Sequence, residues 1–378
     1  MKIIILIQCA NLGGMEQSTV LLLAELKQMG NEVELISLNE MGALAPVLDN
    51  LAIPRSAVGY HGKWGWRSFF ALRRKLKATP ADALVMVGHN LMALLAIGDY
   101  CSKQRVLSLH FHHRGVKSKW GWQLVYRIAM WRFRYIIYPS NFVMKEALEI
   151  MPELISTNRT ISYPIPSPIA MPPVKKLYER HDAHLKFGIQ DDDKIVGNAG
   201  WLIPRKRWDV FLEVAAEVAK VIPNVRFLIA GDGPEKARLQ DLSSRLKLDT
   251  RVIWLGWQHD LVLFYKSLDV MLFNSDWDAM GRTPLEAMSY GVPVVASMLN
   301  GGLSEVIDCD KHGFLFATHD VAAMSDRLVH LLQDDTLYQE ISTQSRARIE
   351  EIGSPRLHAL RVLQLLHNNP ASSSQQLQ

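Results

Sequence analysis

Charged residues cluster in two loops in the second half of the chain, and their types suit a phosphorylated ligand with hydroxyl groups. Arg205, Lys206 and Arg207 are consecutive, between a predicted strand and a predicted helix. Ammonium and guanidinium groups both bind phosphate well, so this turn is a candidate diphosphate site. Exposed charge runs usually form only a solvated surface, and that alternative stays open here.

The second loop carries two carboxylates, Asp278 and Glu286, with Gly281 between them. Carboxylates accept hydrogen bonds from sugar hydroxyls, and a glycine here would let the amides of residues 281–283 face a ligand. Glu286 also has a purely structural explanation. The run from Thr283 to Glu286 matches Thr-x-x-Glu, the capping box of a helix N-terminus. Without reference to any protein family, this sequence pattern favours the capping box.

A third candidate loop follows the first predicted strand. Gly13 and Gly14 open a helix there; paired glycines let a backbone approach a ligand, and a helix N-terminus favours an anion. A plain strand-to-helix turn is the alternative. The loop lacks G-x-G-x-x-G, and the chain lacks G-x-x-x-x-G-K-[ST], which removes the main support for a dinucleotide-dependent dehydrogenase or a P-loop enzyme.

Short apolar runs alternate with helical periods along both halves of the chain, which predicts parallel α/β structure. The predicted strands are 3–7, 33–38, 84–87, 106–109, 135–138, 195–198, 226–230, 252–255, 270–273 and 292–296. The predicted helices are 17–29, 141–150 with Ser140 as N-cap, 208–221, 234–246, 261–267 and 284–290. We therefore predict two Rossmann-like, doubly wound domains facing a cleft, in which ligands would bind.

A proline-rich stretch from residue 164 to 173 separates the two halves and predicts a linker. The predicted organisation is an N-terminal acceptor-binding domain, a linker, a C-terminal nucleotide-binding domain, a helix that returns to the first domain, and a disordered tail. Their bounds are 1–165, 166–190, 191–353, 354–368 and 369–378.

Composition indicates a globular chain, because 48% of its residues are hydrophobic and 21% are charged. Three scattered cysteines form no disulfide framework and no CxxC pair, which is typical of a reducing compartment. The apolar run 3–7 is too short for a signal peptide or a membrane span. The sequence therefore predicts a cytoplasmic protein, with any membrane contact peripheral on the inner face.

The charge is unevenly distributed: the chain sums to +4, whereas residues 61–134, the basic island, hold 14 Lys and Arg against two Asp. Aromatic residues interleave with these cations. A membrane surface, an anionic acceptor and, far behind them, nucleic acid are the partners considered; the alternative is a core of aromatics under a solvated cationic face. The predicted contact residues are Trp64, Trp66, Arg67, Arg73, Arg74, Lys117, Lys119 and Trp120.

Six motifs in order make the chain resemble the family-4, or group 1, retaining glycosyltransferases of GT-B fold. They are Gly13 to Glu16, the basic turn with Lys206, Ala230 to Pro234, Leu255-Gly256, the stretch from Asp278 to Ser297, and Gly301 to Glu305. The resemblance covers nearly the whole chain. It implies a UDP- or GDP-sugar donor, a lipid-linked or saccharide acceptor, and a role in surface polysaccharide or lipopolysaccharide synthesis. It implies neither a cofactor nor an essential metal.

The resemblance also implies roles for the candidate residues. Lys206 matches the basic residue on the diphosphate, Glu286 the carboxylate on the ribose, and Asp278 the acidic residue on the transferred sugar. His110 matches a histidine near the reacting sugar. The remaining donor contacts match Gly13, Gly14, Arg205, Gly281, Arg282 and Thr283.

Two departures from the family pattern affect the donor site. Asp278 stands where the family usually has Glu, and Trp201 stands where it usually has Arg, so that Arg205 or Arg207 would replace a phosphate cation. An epimerase of the same architecture and a degenerate, membrane-associated assembly subunit are the alternative functions.

Metal binding is the weaker interpretation of two further patterns. His110, His112 and His113 lie close together, but the nearest acids are Asp99 and Glu146, so no further ligand is near in sequence. The pattern D-x-D occurs twice, at residues 276–278 and 308–310, and is a frequent accident. We expect no resident metal.

Overall fold

The computed structural model of the chain describes residues 1–11, 13–60, 65–101, 104–110, 119–157, 159–172, 180–299 and 301–367. The chain divides into two compact units. Unit 1 comprises Met1–Pro168 together with the segment from Gly353 onward, and unit 2 comprises Ile169–Ile352. Each unit is built on one parallel sheet with helices between successive strands. The predicted pair of doubly wound α/β domains is confirmed.

The described part of unit 1 contains a seven-stranded sheet in the order β3-β2-β1-β4-β5-β6-β7. Its strands are β1 (Lys2–Ile7), β2 (Glu32–Ser37), β3 (Arg55–Ala57), β4 (Ala83–Val87), β5 (Arg105–Ser108), β6 (Tyr135–Tyr138) and β7 (Ile161–Pro164). Its helices are α1 (Gly14–Gln28), α2 (Ala45–Asn50), α3 (Trp66–Ala78), α4 (Leu91–Ala96), α5 (Lys119–Arg132), α6 (Asn141–Ile150) and α15 (Pro355–Leu366). The strand order reverses between β1 and β4, which makes their loops the switch point of this sheet.

The described part of unit 2 contains a six-stranded sheet in the order β10-β9-β8-β11-β12-β13. Its strands are β8 (Lys194–Ala199), β9 (Val225–Ala230), β10 (Val252–Gly256), β11 (Val270–Phe273), β12 (Val294–Ser297) and β13 (Phe314–Phe316). Its helices are α7 (Arg180–Phe187), α8 (Trp208–Val221), α9 (Lys236–Arg245), α10 (Val262–Ser267), α11 (Arg282–Ser289), α12 (Leu303–Val306), α13 (Val321–Gln333) and α14 (Asp335–Ile352). Here the order reverses between β8 and β11.

The central strands are buried on both faces, which is why they appear in the sequence as unbroken apolar runs. All four residues of β11 and β12 are buried, as are the apolar residues of β1. The three strands that the sequence did not predict, β3, β7 and β13, are edge strands of three or four residues. Each of them buries at most one residue, so no long buried apolar run marks it in the sequence.

The structure differs from the predicted linker 166–190. Ile169 already packs in the core of unit 2, and residues 180–187 form α7, which lies against α10. The helix buries Ala183 and His184, too few residues for a helical period to appear in the sequence. At the other boundary, α15 packs on α1, and its His358 Nδ1 lies 2.9 Å from the carbonyl oxygen of Pro166. The tail predicted to be disordered lies outside the described residues.

Candidate functional site

The switch point of unit 2 brings the two charged loops together. The loop after β11 is bonded to the loop after β8: the Asp276 amide donates to the Arg205 carbonyl at 2.8 Å, and Ser275 Oγ donates to it at 3.2 Å. Ser275 is held in turn by Ser297 at the end of β12, whose Oγ accepts from the Ser275 amide at 2.8 Å. The two loops therefore have a defined register, although they are about 70 residues apart in sequence.

Lys206 and Asp278 form the centre of this cluster. Lys206 Nζ donates to Asp278 Oδ2 at 2.5 Å, and the ammonium lies 4.7 Å from the centroid of the Phe273 ring. The other carboxylate oxygen of Asp278 accepts from the Gly281 amide at 3.3 Å. Both side chains are half-buried. An ammonium has three hydrogens, so Lys206 keeps donors for a ligand while it contacts Asp278.

The pKa of Asp278 is below its ordinary value. Burial is the largest single effect and raises this pKa. The charge and hydrogen bond of Lys206, the charge of Arg205 and the Gly281 amide lower it, and their sum outweighs the effect of burial. Asp278 is therefore an anion at neutral pH. It is suited to accept hydrogen bonds and not to donate a proton.

We expect the free energy of unfolding to depend on pH through this pair. Because the folded pKa of Asp278 is depressed, the stabilisation is fully present above the ordinary aspartate pKa of about 4 and is lost as the pH falls through the folded value. Urea unfolding of the wild type and of Asp278→Asn at a series of pH values tests this. The stability difference should be constant from about pH 5 to 7 and shrink below about pH 4; a difference independent of pH would contradict it.

The two arginines of the basic turn have different surroundings. Arg205 Nη1 donates to the Trp277 carbonyl at 3.1 Å, and its guanidinium lies 4.2 Å from the centroid of the Trp277 ring. Arg207 is in the left-handed region, with φ of 44°, and makes a two-pronged contact with the Asp209 carboxylate at 3.0 and 2.9 Å. Its Nη1 is also 2.8 Å from His319 Nε2. Arg205 thus stays beside the cluster, whereas Arg207 is engaged by Asp209.

The capping box predicted at residues 283–286 is wrong. Helix α11 begins at Arg282 with Gly281 as N-cap, at φ of 70°, and no side chain caps it. Glu286 instead accepts from Arg282 Nε and from the Tyr265 hydroxyl, each at 2.6 Å. With the left-handed Gly281 as N-cap, the helix starts two residues earlier than the capping pattern requires. The Gly281 amide, which was predicted to face a ligand, donates a hydrogen bond to Asp278.

Tyr265 is a residue that sequence reasoning missed. It lies on α10, is buried, and has a pKa well above its ordinary value through burial first and the neighbouring Glu286 charge second. Its hydroxyl is therefore protonated and donates to Glu286. Nothing in the sequence pattern joins α10 to α11, because this contact depends on how the helices cover the sheet.

The glycine loop of unit 1 lies at the switch point of its own sheet. Gly13 is the N-cap of α1 and Gly14 is its first residue. The Glu16 side chain folds back over Gly13, where a Cβ on that residue would collide with Oε2 of the carboxylate. Burial raises the pKa of Glu16, against a lowering by its own amide. An anion approaching this helix end would meet that carboxylate.

Two histidines follow the central strands of unit 1. His110 Nε2 lies 2.8 Å from Ser108 Oγ, and its Nδ1 lies 3.4 Å from Ser167 Oγ, so two hydroxyls orient the ring. His89 follows β4 at the switch point and contacts Trp122 in a tilted arrangement, with ring centroids 4.7 Å apart. Burial lowers the pKa of His89, which favours the neutral ring. His89 was not predicted from the sequence, since one histidine after a strand carries no pattern.

The described residues contain no group of three or more His, Cys, Asp or Glu side chains arranged to hold a metal. His112 and His113 lie outside the described residues. In the D-x-D pattern at 276–278, Asp278 contacts Lys206 and Asp276 Oδ1 lies 3.6 Å from Arg207 Nη1. The expectation of a metal-independent site stays a prediction.

The basic island exposes much of its aromatic surface. Trp66 and Phe70 on α3 are each 64% exposed, and Trp120 and Trp131 on α5 are 73% and 60% exposed. A core beneath a cationic face is therefore wrong for these side chains, although it describes Tyr126, which is buried. The predicted contacts Arg67, Arg73, Arg74 and Lys119 are also exposed, whereas Trp64 and Lys117 lie outside the described residues.

Two doubly wound units, one with a cation and carboxylate cluster at its switch point, define a two-domain Rossmann-like protein with a candidate ligand site at the carboxyl edge of one sheet. The family model described as "Glycosyl transferases group 1" matches residues 179–348, and the model described as "Glycosyltransferase Family 4" matches residues 12–156. Together they match well over half of the chain. The chain belongs to the group 1 glycosyltransferases, as its motifs predicted.

The sequence identity to individual relatives is low. Anabaena HepE, crystallised with UDP and glucose, shares the GT-B architecture with a TM-score of 0.81 and 19% identity over 97% of this chain and 100% of that chain. N-acetyl-alpha-D-glucosaminyl L-malate synthase of Bacillus anthracis is 30% identical over 178 residues, 46% of each chain. The UDP-Gal:alpha-D-GlcNAc-diphosphoundecaprenol alpha-1,3-galactosyltransferase of Escherichia coli is 29% identical over 154 residues, 40% of each chain. The matches thus span less than half the length of these two curated relatives.

Proposed function

We propose that the chain is a retaining glycosyltransferase that moves a sugar from a UDP- or GDP-sugar to a lipid-linked or saccharide acceptor in cell-surface polysaccharide synthesis. The observation that carries this proposal is the Lys206–Asp278 cluster at the switch point of unit 2, beside Arg205. Membership of the family supports the transfer reaction. The UDP bound to HepE and the donor in the name of the galactosyltransferase support a nucleotide-sugar donor.

The cluster suits departure of a diphosphate. As the bond between the anomeric carbon and the diphosphate oxygen breaks, its electron pair leaves with that oxygen. Lys206 and Arg205 stabilise the growing negative charge, which is an electrostatic mechanism without a protein nucleophile. The acceptor hydroxyl forms the new bond on the face from which the diphosphate departs, and its proton passes to the leaving oxygen. The anomeric configuration is thereby retained.

The other residues take supporting roles in this proposal. The anionic Asp278 accepts hydrogen bonds from the transferred sugar, and Glu286 accepts them from the ribose hydroxyls. The resemblance assigns a role at the sugar to His110, whose ring is oriented by its two serine contacts. The remaining donor contacts in unit 2 come from Arg282 and Thr283. No cofactor takes part.

The test is a donor panel of UDP- and GDP-sugars with an acceptor extract. Transfer is followed by release of the nucleoside diphosphate, and the anomer of the product is assigned by NMR. We expect release to require the acceptor and the product to keep the anomeric configuration of the donor. An epimerised sugar nucleotide formed without any acceptor, or an inverted product, would contradict the proposal.

We further propose that α3 and α5 bind an anionic membrane surface, where a lipid-linked acceptor would lie. On α5, Trp120, Leu124 and Trp131 recur at spacings of four and seven, so they share one face. Helix α4 packs against both α3 and α5, which places the two helices on the same side of the sheet. Exposed Trp and Phe among cations are typical of interfacial helices. No helix in the described part of the chain is both long and apolar enough to cross a bilayer.

Replacing two of these aromatics should weaken membrane binding. We expect Trp120→Ser with Trp131→Ser to reduce the affinity for vesicles of phosphatidylglycerol and phosphatidylcholine at least about tenfold, because each side chain would otherwise bury its apolar surface in the interface. Trp201→Ser, which removes an exposed tryptophan from unit 2, is the matched control and should bind like the wild type. Sedimentation at low salt measures the bound fraction. Equal binding of the wild type to anionic and neutral vesicles would disprove the docking.

A further inference from the structure

Two exposed tryptophans lie at the carboxyl edge of unit 2 and have no part in the roles given above. Trp201 follows β8 and Trp257 follows β10. Their ring centroids are 4.6 Å apart with the planes inclined at 44°, and the two residues are 55% and 38% exposed. When a flat ligand covers large apolar rings, apolar surface is removed from water, which favours binding. This pair is therefore a candidate surface for a planar ring.

The backbone that carries Trp201 is held in place without a ligand. The Leu202 amide donates to the Asp232 carbonyl at 2.9 Å, and Trp208 Nε1 donates to the Trp201 carbonyl at 3.0 Å. At Gly231, the loop after β9 comes so close that a Cβ would collide with the Gly200 carbonyl. A surface already rigid in the free protein loses little conformational entropy when it binds.

The order of the strands decides which part of a donor reaches this surface. The sequence β10-β9-β8-β11 places Trp257, then Trp201 and Lys206, then Asp278 along the same edge of the sheet. A nucleotide sugar has its base, diphosphate and sugar in that linear order. With the diphosphate at Lys206 and the sugar at Asp278, the base falls on the side of the tryptophans. This step rests on the proposed function.

We propose that Trp201 and Trp257 form a stacking surface for the nucleobase of the donor. Every base has a π face, so the pair contributes affinity while hydrogen bonds elsewhere select the base. Trp201 stands where similar enzymes usually carry a phosphate-binding arginine. The chain thereby replaces a charge contact to the diphosphate with a ring contact to the base, and Trp201 positions the nucleotide without touching the reacting atoms.

Isothermal titration calorimetry on the full chain tests this inference. The probes are UDP, GDP, ADP and inorganic diphosphate, and the nucleotide that the wild type binds most tightly serves for the variants. We expect Trp201→Ala to weaken the binding of that nucleotide by about 5- to 150-fold and to leave the binding of inorganic diphosphate unchanged. Trp201→Phe, which keeps a ring, should retain most of the affinity. Because the side chain is exposed, both variants should fold.

The possible outcomes separate the inference from the function on which it rests. Unchanged nucleotide binding by Trp201→Ala would overturn the stacking surface and leave the donor site at Lys206 intact. An equal loss of affinity for the nucleotide and for inorganic diphosphate would also overturn it, because Trp201 would then only shape the loop that carries Lys206. If the wild type binds none of the three nucleotides, the proposed function itself fails.

Discussion

Replacing Lys206 with methionine should lower kcat for transfer by about 10²- to 10³-fold, the cost of removing one group that stabilises charge in a transition state. Methionine keeps most of the length of the side chain and its packing against Phe273. It removes the ammonium that lies 2.5 Å from Asp278 and faces the proposed diphosphate. The rate is measured as nucleoside diphosphate released with saturating donor and acceptor.

Asp278→Asn is the matched control for this prediction, because it breaks the same ion pair from the other side. Both variants should lose stability, by about 1–3 kcal/mol, since each leaves one half-buried charge unpaired. Their binding of inorganic diphosphate should differ in direction. Lys206→Met loses a cation and should bind diphosphate more weakly, whereas Asp278→Asn loses an anion and should bind it at least as tightly as the wild type. Full transfer by Lys206→Met would remove Lys206 from the site.

Replacing Glu286 with alanine should have a comparable effect, lowering kcat/KM for the donor by at least about 10²-fold through the lost contacts to the ribose. The structure also gives Glu286 a local role, because it accepts from Arg282 and from the buried Tyr265 hydroxyl. The variant should therefore melt at a lower temperature as well. Steady-state kinetics over a range of donor concentrations, with a thermal melt of the same sample, measure both effects.

Tyr265→Phe separates the local role from the proposed contact to the donor. It removes one hydrogen bond at a cost of about 1 kcal/mol, while Arg282 still holds the carboxylate in place. We expect this variant to keep most of its transfer rate. If its rate falls as far as that of Glu286→Ala, then Glu286 acts by organising α10 and α11, and its contact to the ribose is wrong.

Several well-buried regular elements followed from local pattern. The strand over residues 135–138, the helix over 141–150 with Ser140 as N-cap, and the helix over 208–221 all have the predicted bounds. Strand β11 does too. Each of these elements packs one or two whole faces into a core, so its apolar period is long enough to show. The three unpredicted strands, β3, β7 and β13, and helix α7 bury only a few residues, and their pattern is correspondingly weak.

The charged residues of the candidate site could be predicted from the sequence, but their contacts could not. Residue type and order along the chain were sufficient to single out Lys206, Asp278 and Glu286, because ligand loops follow strands in an α/β sheet and the family motifs are local. Their contacts were not predictable from that order. Lys206 meets Asp278 only because β8 and β11 are neighbours in the sheet, and Glu286 meets Tyr265 only because α10 and α11 pack together.

Fold class, family and the presence of a basic, aromatic island can all be recognised in the sequence, since each depends on composition, period or motif order. The folded chain is needed to see which groups of the island face water, which carboxylate contacts which cation, and that the Trp201 and Trp257 rings meet. Exposure and pairing are set by the neighbours that chain crossings bring together. Those neighbours lie tens of residues away in the sequence, where a local pattern has no information.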